Sequence, residues 1–385
     1  MTIRPTRAIR ALRATARALG CRVYLVGGPL RDMLLGRRFT DIDVAVEGDI
    51  ELFGQALKTR LGGKLTFHPE FGTGTIELGR GRVIDLARTR SEVYDAPGAL
   101  PRVAPADIRA DLGRRDFTVN ALAYDLLSRQ LLDPLGGLDD LKARRIRVLH
   151  RQSFRDDPAR IFRAVRLAER LGFVIEPRTR AWLRAAVRDR LLDRISGARI
   201  RNELALITGE CNWRSMLSYL NRCGVLAALF RRLTVAEERS LRGLDAAEPR
   251  VRLNYLCYLL NADRRLPLER EEIATIADLR QFRPARLARA QRPSRIAELL
   301  RPLTPEARAI LAGRYPALAR KIGRYERQYA RVTPLLSGDD LAALGLEPGP
   351  IYGQILDRLR AARLDGQVRT RNDEQALVWG LIAHR

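Results

Sequence analysis

The chain has 385 residues, 46% of them hydrophobic, which is enough to form the cores of two to four domains. No run of roughly 18 apolar residues occurs, so the sequence predicts no membrane-spanning helix. The 70 Lys and Arg residues exceed the 45 Asp and Glu residues, and the net charge of +25 favours polyanionic partners such as nucleic acid. All but four of the basic residues are Arg, which binds phosphate bidentately.

The first 20 residues carry Arg at helical spacing and never open into an apolar stretch. They predict a basic helix of the first domain instead of a secretory signal. The four Cys residues form no CxxC pair and no zinc-ligand spacing, which indicates reduced structural thiols. A cytoplasmic protein without zinc chemistry is therefore expected.

The residues up to about 140 predict a head of mixed secondary structure. Apolar, β-rich runs predict strands at 23–26, 42–46 and 83–86, with helical stretches and glycine turns between them. From about 141 onward strand patterns almost disappear, and Leu, Ala and Arg recur at helical spacing. The predicted fold class is an α+β head, with a mixed sheet and helices, followed by an all-α remainder.

The first predicted strand runs directly into Gly27 and Gly28, and then into a helix that carries Arg31. Glycines at such a turn let backbone N–H groups approach an anion at the positive end of the helix. Arg31 lies one turn into the helix, where its guanidinium can hold a phosphate. Neither a Walker A loop nor a GxGxxG fingerprint is present, and a tight structural turn is the alternative interpretation.

Two carboxylates, Asp41 and Asp43, lie at alternate positions of the second predicted strand and therefore share one face. A third, Asp85, interrupts the apolar run 83–86, where an unpartnered carboxylate is costly to bury. Neighbouring carboxylates repel each other unless a cation such as Mg²⁺ lies between them. With the glycine turn, they predict a two-metal site for phosphoryl transfer. A solvated edge strand is the alternative.

A charged cluster precedes the apolar segment 121–124. Within it, Arg115 can pair with a phosphate and Asp116 can accept a hydrogen bond from a ribose hydroxyl. A structural Arg–Asp pair with a capping Asn explains the same residues equally well.

The segment 154–166 predicts the start of a helix near Asp157 and Arg160, because acids precede it and Pro158 lies in its first turn. A carboxylate only accepts hydrogen bonds and a guanidinium only donates them. Side by side they match the amine and ring nitrogen on the pairing edge of cytosine and adenine, and they mismatch uracil and guanine. The alternative is a helix cap, Asp157, with Arg160 as its salt-bridge partner.

These segments together resemble the class II tRNA nucleotidyltransferases, which include CCA-adding enzymes and bacterial poly(A) polymerases. The resemblance spans about residues 20–175 and lies in LVGGPLRDMLLGRRFTDIDVAV, VIDLARTRSEVYDAPGALPRV, DLGRRDFTVNALA with DPLGGLDDL, and FRDDPARIFRAVRLAERLGF. It implies a head with the nucleotidyltransferase palm fold, followed by an all-α neck, body and tail. The predicted divisions are a catalytic head at 1–140, a neck for base selection at 141–210, a body at 211–332 and a tRNA-binding tail at 333–385.

The resemblance also implies roles for single residues. Asp41 and Asp43 match metal ligands for Mg²⁺, and Asp85 matches the third catalytic carboxylate. The nucleotide-binding residues it implies are Gly27, Gly28, Arg31, Arg115, Asp116, Asp157, Arg160, Arg163 and Arg166. The sequence departs from the family pattern at Asp156, where Glu is usual, and at Pro29, which follows the double glycine.

The implied activity is template-independent addition of C and A, from CTP and ATP, to the 3′ end of tRNA, with release of pyrophosphate. The expected partners are tRNA, CTP and ATP, with no membrane and no protein partner. Alternatives within the family are A-only or CC-only addition, then poly(A) polymerisation; a non-catalytic RNA-binding protein is the alternative from another class. The loop at 94–101 looks complete, which favours CCA or A-only addition. A basic stripe, Arg180, Arg184 and Arg188, predicts contacts with tRNA phosphates.

Overall fold

The computed structural model of the protein describes residues 6–37, 41–79, 81–99 and 101–383. The chain divides into two compact units, Met1–Leu229 and Phe230–Arg385. The regions predicted as head and neck both lie within the first unit, and the four-part division at 140, 210 and 332 stays a prediction. An α+β part followed by helices confirms the predicted fold class.

The α+β part of the first unit alternates helices with strands, as the sequence predicts. Its helices are α1 (Arg7–Leu19), α2 (Gly27–Leu34), α3 (Ile50–Leu61), α4 (Ile108–Gly113) and α5 (Gly137–Lys142). Its strands are β1 (Arg22–Val26), β2 (Ile42–Glu47), β3 (Lys64–His68), β4 (Thr73–Glu77), β5 (Val83–Arg88), β6 (Arg90–Val93), β7 (Arg102–Pro105), β8 (Ala123–Asp125) and β9 (Leu131–Leu132).

A seven-stranded sheet in the order β3-β4-β5-β2-β1-β8-β9 forms the centre of this part. Its β2 and β5 run parallel, whereas the other neighbouring strands are antiparallel. The central strand β1 is buried from Val23 to Val26, because helices cover both faces of the sheet there. One core cluster joins Tyr24 of β1 and Ala45 of β2 to Ile108 of α4. The predicted strands at 23–26, 42–46 and 83–86 are confirmed.

The rest of the first unit is helical apart from one short parallel strand pair. Its elements are β10 (Arg145–Ile146), α6 (Ser153–Asp156), α7 (Arg160–Leu171), β11 (Val174–Ile175), α8 (Pro177–Arg188), α9 (Gly197–Thr208), α10 (Trp213–Arg222) and α11 (Val225–Leu229).

The helix predicted to start within 154–166 is present as α7, and a break separates it from the short helix α6. The break lies at Asp157, whose backbone is extended with φ −136° and ψ 97°. Pro158 explains the break, since a proline disfavours the helical conformation of the residue before it. Asp157 therefore lies at a corner between α6 and α7.

The second unit is all-helical within its described residues. Its α-helices are α12 (Val235–Ser240), α13 (Pro249–Leu260), α14 (Arg270–Gln281), α15 (Pro284–Arg289), α16 (Pro293–Leu300), α17 (Pro305–Arg314), α18 (Pro316–Arg324), α19 (Gly338–Ala343), α20 (Pro350–Leu364) and α21 (Arg371–Ala383). A π-helical turn, Tyr325–Tyr329, follows α18. Throughout the described ranges, no helix has the length and apolar character needed to cross a membrane.

Two glycines allow a close backbone approach in the second unit. A Cβ atom on Gly243, in the 3-10 helix Leu241–Leu244, would collide with the carbonyl oxygen of Gly313 in α17. One on Gly313 would collide with the carbonyl oxygen of Gly243. We expect Gly243→Ala to lower the free energy of unfolding by about 3 kcal/mol, because neither backbone can move without disturbing its helix. Gly353→Ala is the matched control, since Gly353 lies in α20 with open space around it.

This pair of substitutions is checked by chemical denaturation. The control is expected to be neutral or to stabilise by up to about 1 kcal/mol, because alanine favours helix over glycine. Equal unfolding midpoints for the two variants would contradict the predicted backbone contact.

Candidate active site

The three predicted carboxylates meet at the start of two adjacent parallel strands. Asp43 of β2 and Asp85 of β5 are directly paired in register, and Asp41 immediately precedes β2. The pKa of Asp43 is raised to about 6, first by burial and then by the negative charge of Asp85, with a smaller contribution from Asp41. The sequence therefore predicted this juxtaposition correctly, although Asp41 lies just outside the strand.

A threonine that sequence reasoning missed fixes the third carboxylate. Thr75 lies opposite Asp85 on β4, and its hydroxyl donates to Asp85 Oδ1 at 2.7 Å. The hydrogen bond orients a carboxylate that is otherwise exposed. Nothing local in the sequence marks Thr75, because its role depends on strand register.

The double-glycine turn lies directly against Asp43. Gly27 begins α2 with φ +70°, a conformation that favours glycine. A Cβ atom here would lie 2.8 Å from Asp43 Oδ2 and 3.4 Å from Arg115 Nη1. Glycine is therefore needed at position 27 for two reasons. It lets the backbone approach the Asp43 carboxylate closely, and it adopts the backbone conformation of the turn.

Arg31 is buried at the base of the same turn, with 2% of its surface exposed. Its guanidinium donates to Asp32 Oδ1 at 2.9 and 2.7 Å and to Asn120 Oδ1 at 2.7 Å. Burial lowers the pKa of Arg31, and Asp32 opposes that shift. Arg31 therefore ties α2 to the turn that contains Asn120, and its contact with a phosphate stays a prediction.

Arg115 is held beside the carboxylates by an acid that sequence reasoning did not single out. Its Nη2 pairs with Asp111 Oδ2 at 2.9 Å, and its Nη1 donates to the carbonyl of Asn120 at 3.4 Å. Asp111 also pairs with Arg114 at 2.7 Å. Burial opposes ionisation of Asp111, but the two arginines hold its pKa below the ordinary value.

Asp116 is buried within a polar network. Its Oδ1 accepts from the backbone N–H of Phe117 at 2.8 Å and from Asn120 Nδ2 at 3.0 Å, and its Oδ2 pairs with Arg163 at 2.7 Å. Burial opposes ionisation, yet Arg163 and Asn120 keep the pKa of Asp116 below its usual range. The sequence had no basis for pairing Asp116 with α7.

The predicted base-selecting residues lie at the start of α7: Asp157 precedes the helix and Arg160 is its first residue. Their contacts differ from the Asp157–Arg160 salt bridge of the alternative interpretation. Asp157 Oδ1 pairs with Arg199 of α9 at 2.6 Å and accepts from the N–H of Ala159 at 3.0 Å. Arg160 donates through Nη2 to the carbonyl of Arg114 at 2.9 Å. Its buried Nη1 has no hydrogen-bond partner among the described residues.

Only 4% of the surface of Arg160 is exposed, so water does not solvate this N–H group. A buried guanidinium N–H without an acceptor costs free energy of folding. A bound base that offers an acceptor would satisfy it. The alternative of Arg160 as a salt-bridge partner of Asp157 is therefore not what the contacts support. Arg166 lies further along α7 and faces Glu203 at 3.6 Å.

The loop between β6 and β7 is anchored at both ends of its described part. Tyr94 donates to Glu92 at 3.0 Å, and burial raises the pKa of Tyr94 to about 12. Arg199 Nη1 donates to the carbonyl of Gly98 at 3.1 Å, so one arginine contacts both the loop and Asp157. Leu100 of the predicted loop lies outside the described residues.

Carboxylates from two strands fit a hard divalent cation by their chemistry. Burial and then the negative charge of Asp85 raise the pKa of Asp43, and a cation beside the two carboxylates would offset their repulsion. Within the parts of the chain that the structure describes, no three His, Cys, Asp or Glu side chains are already arranged as a metal cage. Asp41 and Asp43 as ligands of the ion, with Asp85 as the third catalytic carboxylate, stay a prediction.

Two family models and several known proteins match this chain. Residues 23–147 match the poly A polymerase head domain, and residues 172–237 match a domain described as the probable RNA and SrmB-binding site of polymerase A. The CC-adding tRNA nucleotidyltransferase of Deinococcus radiodurans is 34% identical over 91% of this chain and 87% of its own. The chain belongs to the class II tRNA nucleotidyltransferase family.

Other relatives are named for a different activity. The A-adding tRNA nucleotidyltransferase of Geobacter sulfurreducens is 35% identical over 97% of this chain, which spans about half, 47%, of that relative. The A-adding enzyme of Halalkalibacterium halodurans is 30% identical over 95% of this chain and 90% of its own. Family membership thus does not by itself distinguish A addition from CC addition.

Solved structures of the family share the whole fold. A CCA-adding enzyme without ligand superposes with a TM-score of 0.85 and 29% identity, covering 98% of this chain and 96% of its own. The Thermotoga maritima CCA-adding enzyme complexed with tRNA has a TM-score of 0.76 and 30% identity, covering 97% and 94%. The family assignment therefore holds for both compact units.

Proposed function

We propose that the protein is a template-independent nucleotidyltransferase that adds C, A or both, from CTP and ATP, to the 3′ end of tRNA and releases pyrophosphate. The observation that carries this proposal is the register pair of Asp43 and Asp85 beside Gly27. A divalent cation bound there, with Mg²⁺ as our proposal, would lower the pKa of the attacking hydroxyl and offset the charge of the triphosphate. A cytoplasmic site of action follows from tRNA as substrate and stays a prediction.

The chain's own residues supply positioning and charge. Gly27 and Gly28 leave room for phosphate oxygens at the N-terminus of α2, where backbone N–H groups point outward. Arg115 stands 3.4 Å from the Cβ position of Gly27, so we assign it to the same phosphates. Asp116, held ionised by Arg163, is assigned to a ribose hydroxyl.

Base selection is assigned to the corner before α7. Asp157 accepts hydrogen bonds and Arg160 retains an unused buried donor, which together complement cytosine and adenine. Arg163, one turn along α7, faces Asp116, and Arg166, two turns along, faces Glu203. Both ion pairs support this corner. A binding site with fixed donors and acceptors rejects the wrong base because its buried groups remain unpaired.

Substituting Arg160 tests base selection separately from phosphate binding. We expect Arg160→Ala to lower the preference for ATP and CTP over UTP and GTP by about 10- to 100-fold, since an unmatched buried polar group costs about 1–3 kcal/mol. The measurement is kcat/KM for each nucleotide. The control is Arg170→Ala, an exposed arginine in the last turn of the same helix. Unchanged selectivity in Arg160→Ala would refute the assignment.

The whole proposal is tested with labelled CTP or ATP, Mg²⁺ and three tRNAs that end before the first C, after CC, or after CCA. Addition to the first two substrates in turn would identify CCA addition, and extension of complete tRNA into a long tail would identify a poly(A) polymerase. No incorporation on any of the three, with intact tRNA binding, would leave a non-catalytic RNA-binding protein.

A-only addition is the second candidate. Two A-adding relatives align over at least 95% of this chain, and Gly98 of the loop contacts Arg199 of α9. In the tRNA experiment this candidate predicts incorporation of one A on tRNA ending in CC and nothing with CTP.

A further inference from the structure

A second concave surface lies in the first unit. It is a cavity of about 760 Å³ beside one face of α8. That face consists of Trp182, Ala185, Ala186 and Asp189, which recur at i, i+3, i+4 and i+7. Arg151, Gln152, Phe154 and Arg155 also line it, together with Pro97 of the loop between β6 and β7. No residue of the carboxylate site or the base-selecting corner lines it.

The charges of this cavity are strongly unbalanced. Arg190 is paired with Asp193 at 2.7 Å, which neutralises both. Three further lining arginines, Arg151, Arg155 and Arg194, have no hydrogen-bond or ion-pair partner for their guanidinium groups within the described residues. Asp189 alone opposes them. A cluster of unpaired guanidinium groups around a cavity is suited to an anion with several oxygen atoms, such as phosphate.

The aromatic residue of the cavity adds a second requirement on the ligand. Trp182 is half-buried and lines the cavity, whereas Trp213 is fully buried in the core. A partly exposed indole beside arginines offers a flat surface for a nucleobase, and every base has a face that can stack on it. The cavity volume is also within the range of small-ligand sites.

The cavity face of α8 differs from the basic stripe predicted from the sequence. Arg180 and Arg184 of that stripe lie beside Tyr219 and Cys223 of the α10 region, where their charges act to lower the pKa of both groups against the larger effect of burial. These two arginines are therefore engaged by a neighbouring helix. The open, uncompensated charge lies on the other face, around Trp182.

We propose that this cavity binds one nucleotide unit, with its base on Trp182 and its phosphate on Arg151, Arg155 and Arg194. We favour a nucleotide of the RNA strand over a free nucleoside triphosphate, because the cavity is separate from the site assigned to the triphosphate. The inference rests on the proposed function, in that RNA is the substrate, and it names an additional contact for that RNA.

The test measures RNA binding and nucleotide addition in parallel, with tRNA ending in CC and with ATP. Trp182→Ala is expected to weaken tRNA binding about tenfold, through loss of stacking. Arg155→Gln is expected to reduce the slope of log affinity against log salt by about 0.7, the value for one phosphate contact on a single strand. The KM for ATP is expected to stay at its wild-type value in both variants.

The charge-matched control is Arg60→Gln, an exposed arginine at the end of α3. Trp182→Phe retains a stacking ring and is expected to bind RNA nearly as wild type does, which also guards against misfolding of the Ala variant. The proposal would be overturned if Trp182→Ala and Arg155→Gln had the same tRNA affinity and the same slope against log salt as Arg60→Gln.

Equilibrium dialysis with labelled ATP distinguishes the two sources of the nucleotide. One ATP bound per chain in both wild type and Trp182→Ala supports RNA as the source, whereas two in wild type and one in the variant would overturn the preference for RNA. Because RNA binding is measured independently of addition, a wild type that binds tRNA without extending it would refute the proposed function and leave this inference standing.

Discussion

Asp43→Asn is expected to abolish nucleotide addition without destabilising the protein. The substitution removes one of the carboxylates that would hold the divalent cation, and a loss of at least about a thousandfold in kcat follows from losing that charge stabilisation. Burial and the negative charge of Asp85 already disfavour the ionised Asp43, so a neutral amide relieves repulsion in the folded state. The melting temperature is expected to be unchanged or raised.

The measurement combines single-turnover addition of labelled nucleotide with a thermal melt and a tRNA binding assay. Glu77→Gln is the matched control, because Glu77 is an exposed carboxylate on β4 of the same sheet. It is expected to retain wild-type activity. Residual addition within tenfold of wild type in Asp43→Asn would show that this carboxylate is not needed for the reaction.

Gly27→Ala is expected to cause the second-largest loss of activity, by a different route. The added Cβ atom would lie 2.8 Å from Asp43 Oδ2, and the backbone has φ +70°, which costs a non-glycine residue about 1–2 kcal/mol. The carboxylate must move to make room, so we expect addition to fall by at least about a hundredfold, because small displacements of reacting groups have effects of that size.

Gly20→Ala separates backbone strain from displacement of the carboxylate. Gly20 ends α1 with φ +63°, and nothing lies within 4 Å of its Cβ position. Both variants are expected to lose similar stability in a denaturant titration, whereas Gly20→Ala keeps its activity. If both variants lost activity equally, general destabilisation would explain the effect and the contact with Asp43 would not.

Periodicity in the sequence predicted the strands that carry the site. The apolar runs around Asp43 and Asp85 have the alternation of strands, and their pairing at one end of the sheet follows once β2 and β5 are parallel neighbours. Gly27 was predicted because a strand, two glycines and a helix are adjacent in the chain. These features depend on local pattern, which a sequence displays directly.

Contacts between distant segments could not be predicted in this way. Thr75 is chosen by register, Asp111 by the packing of α4, and Arg199 by the placement of α9 beside the corner at Asp157. One local feature, Pro158, does indicate the break between α6 and α7, because a proline disfavours the helical conformation of the preceding residue. The same proline predicted the start of the helix that carries Arg160.

The most direct test of the carboxylate site measures Mn²⁺ binding by electron paramagnetic resonance, in the presence of a non-hydrolysable ATP analogue. Wild type is expected to bind Mn²⁺ together with the nucleotide, and Asp43→Asn and Asp85→Asn are expected to bind it at least tenfold more weakly, with Glu77→Gln unchanged. Equal Mn²⁺ affinity in wild type and Asp43→Asn would contradict the central claim that these strand carboxylates hold the cation beside the glycine turn.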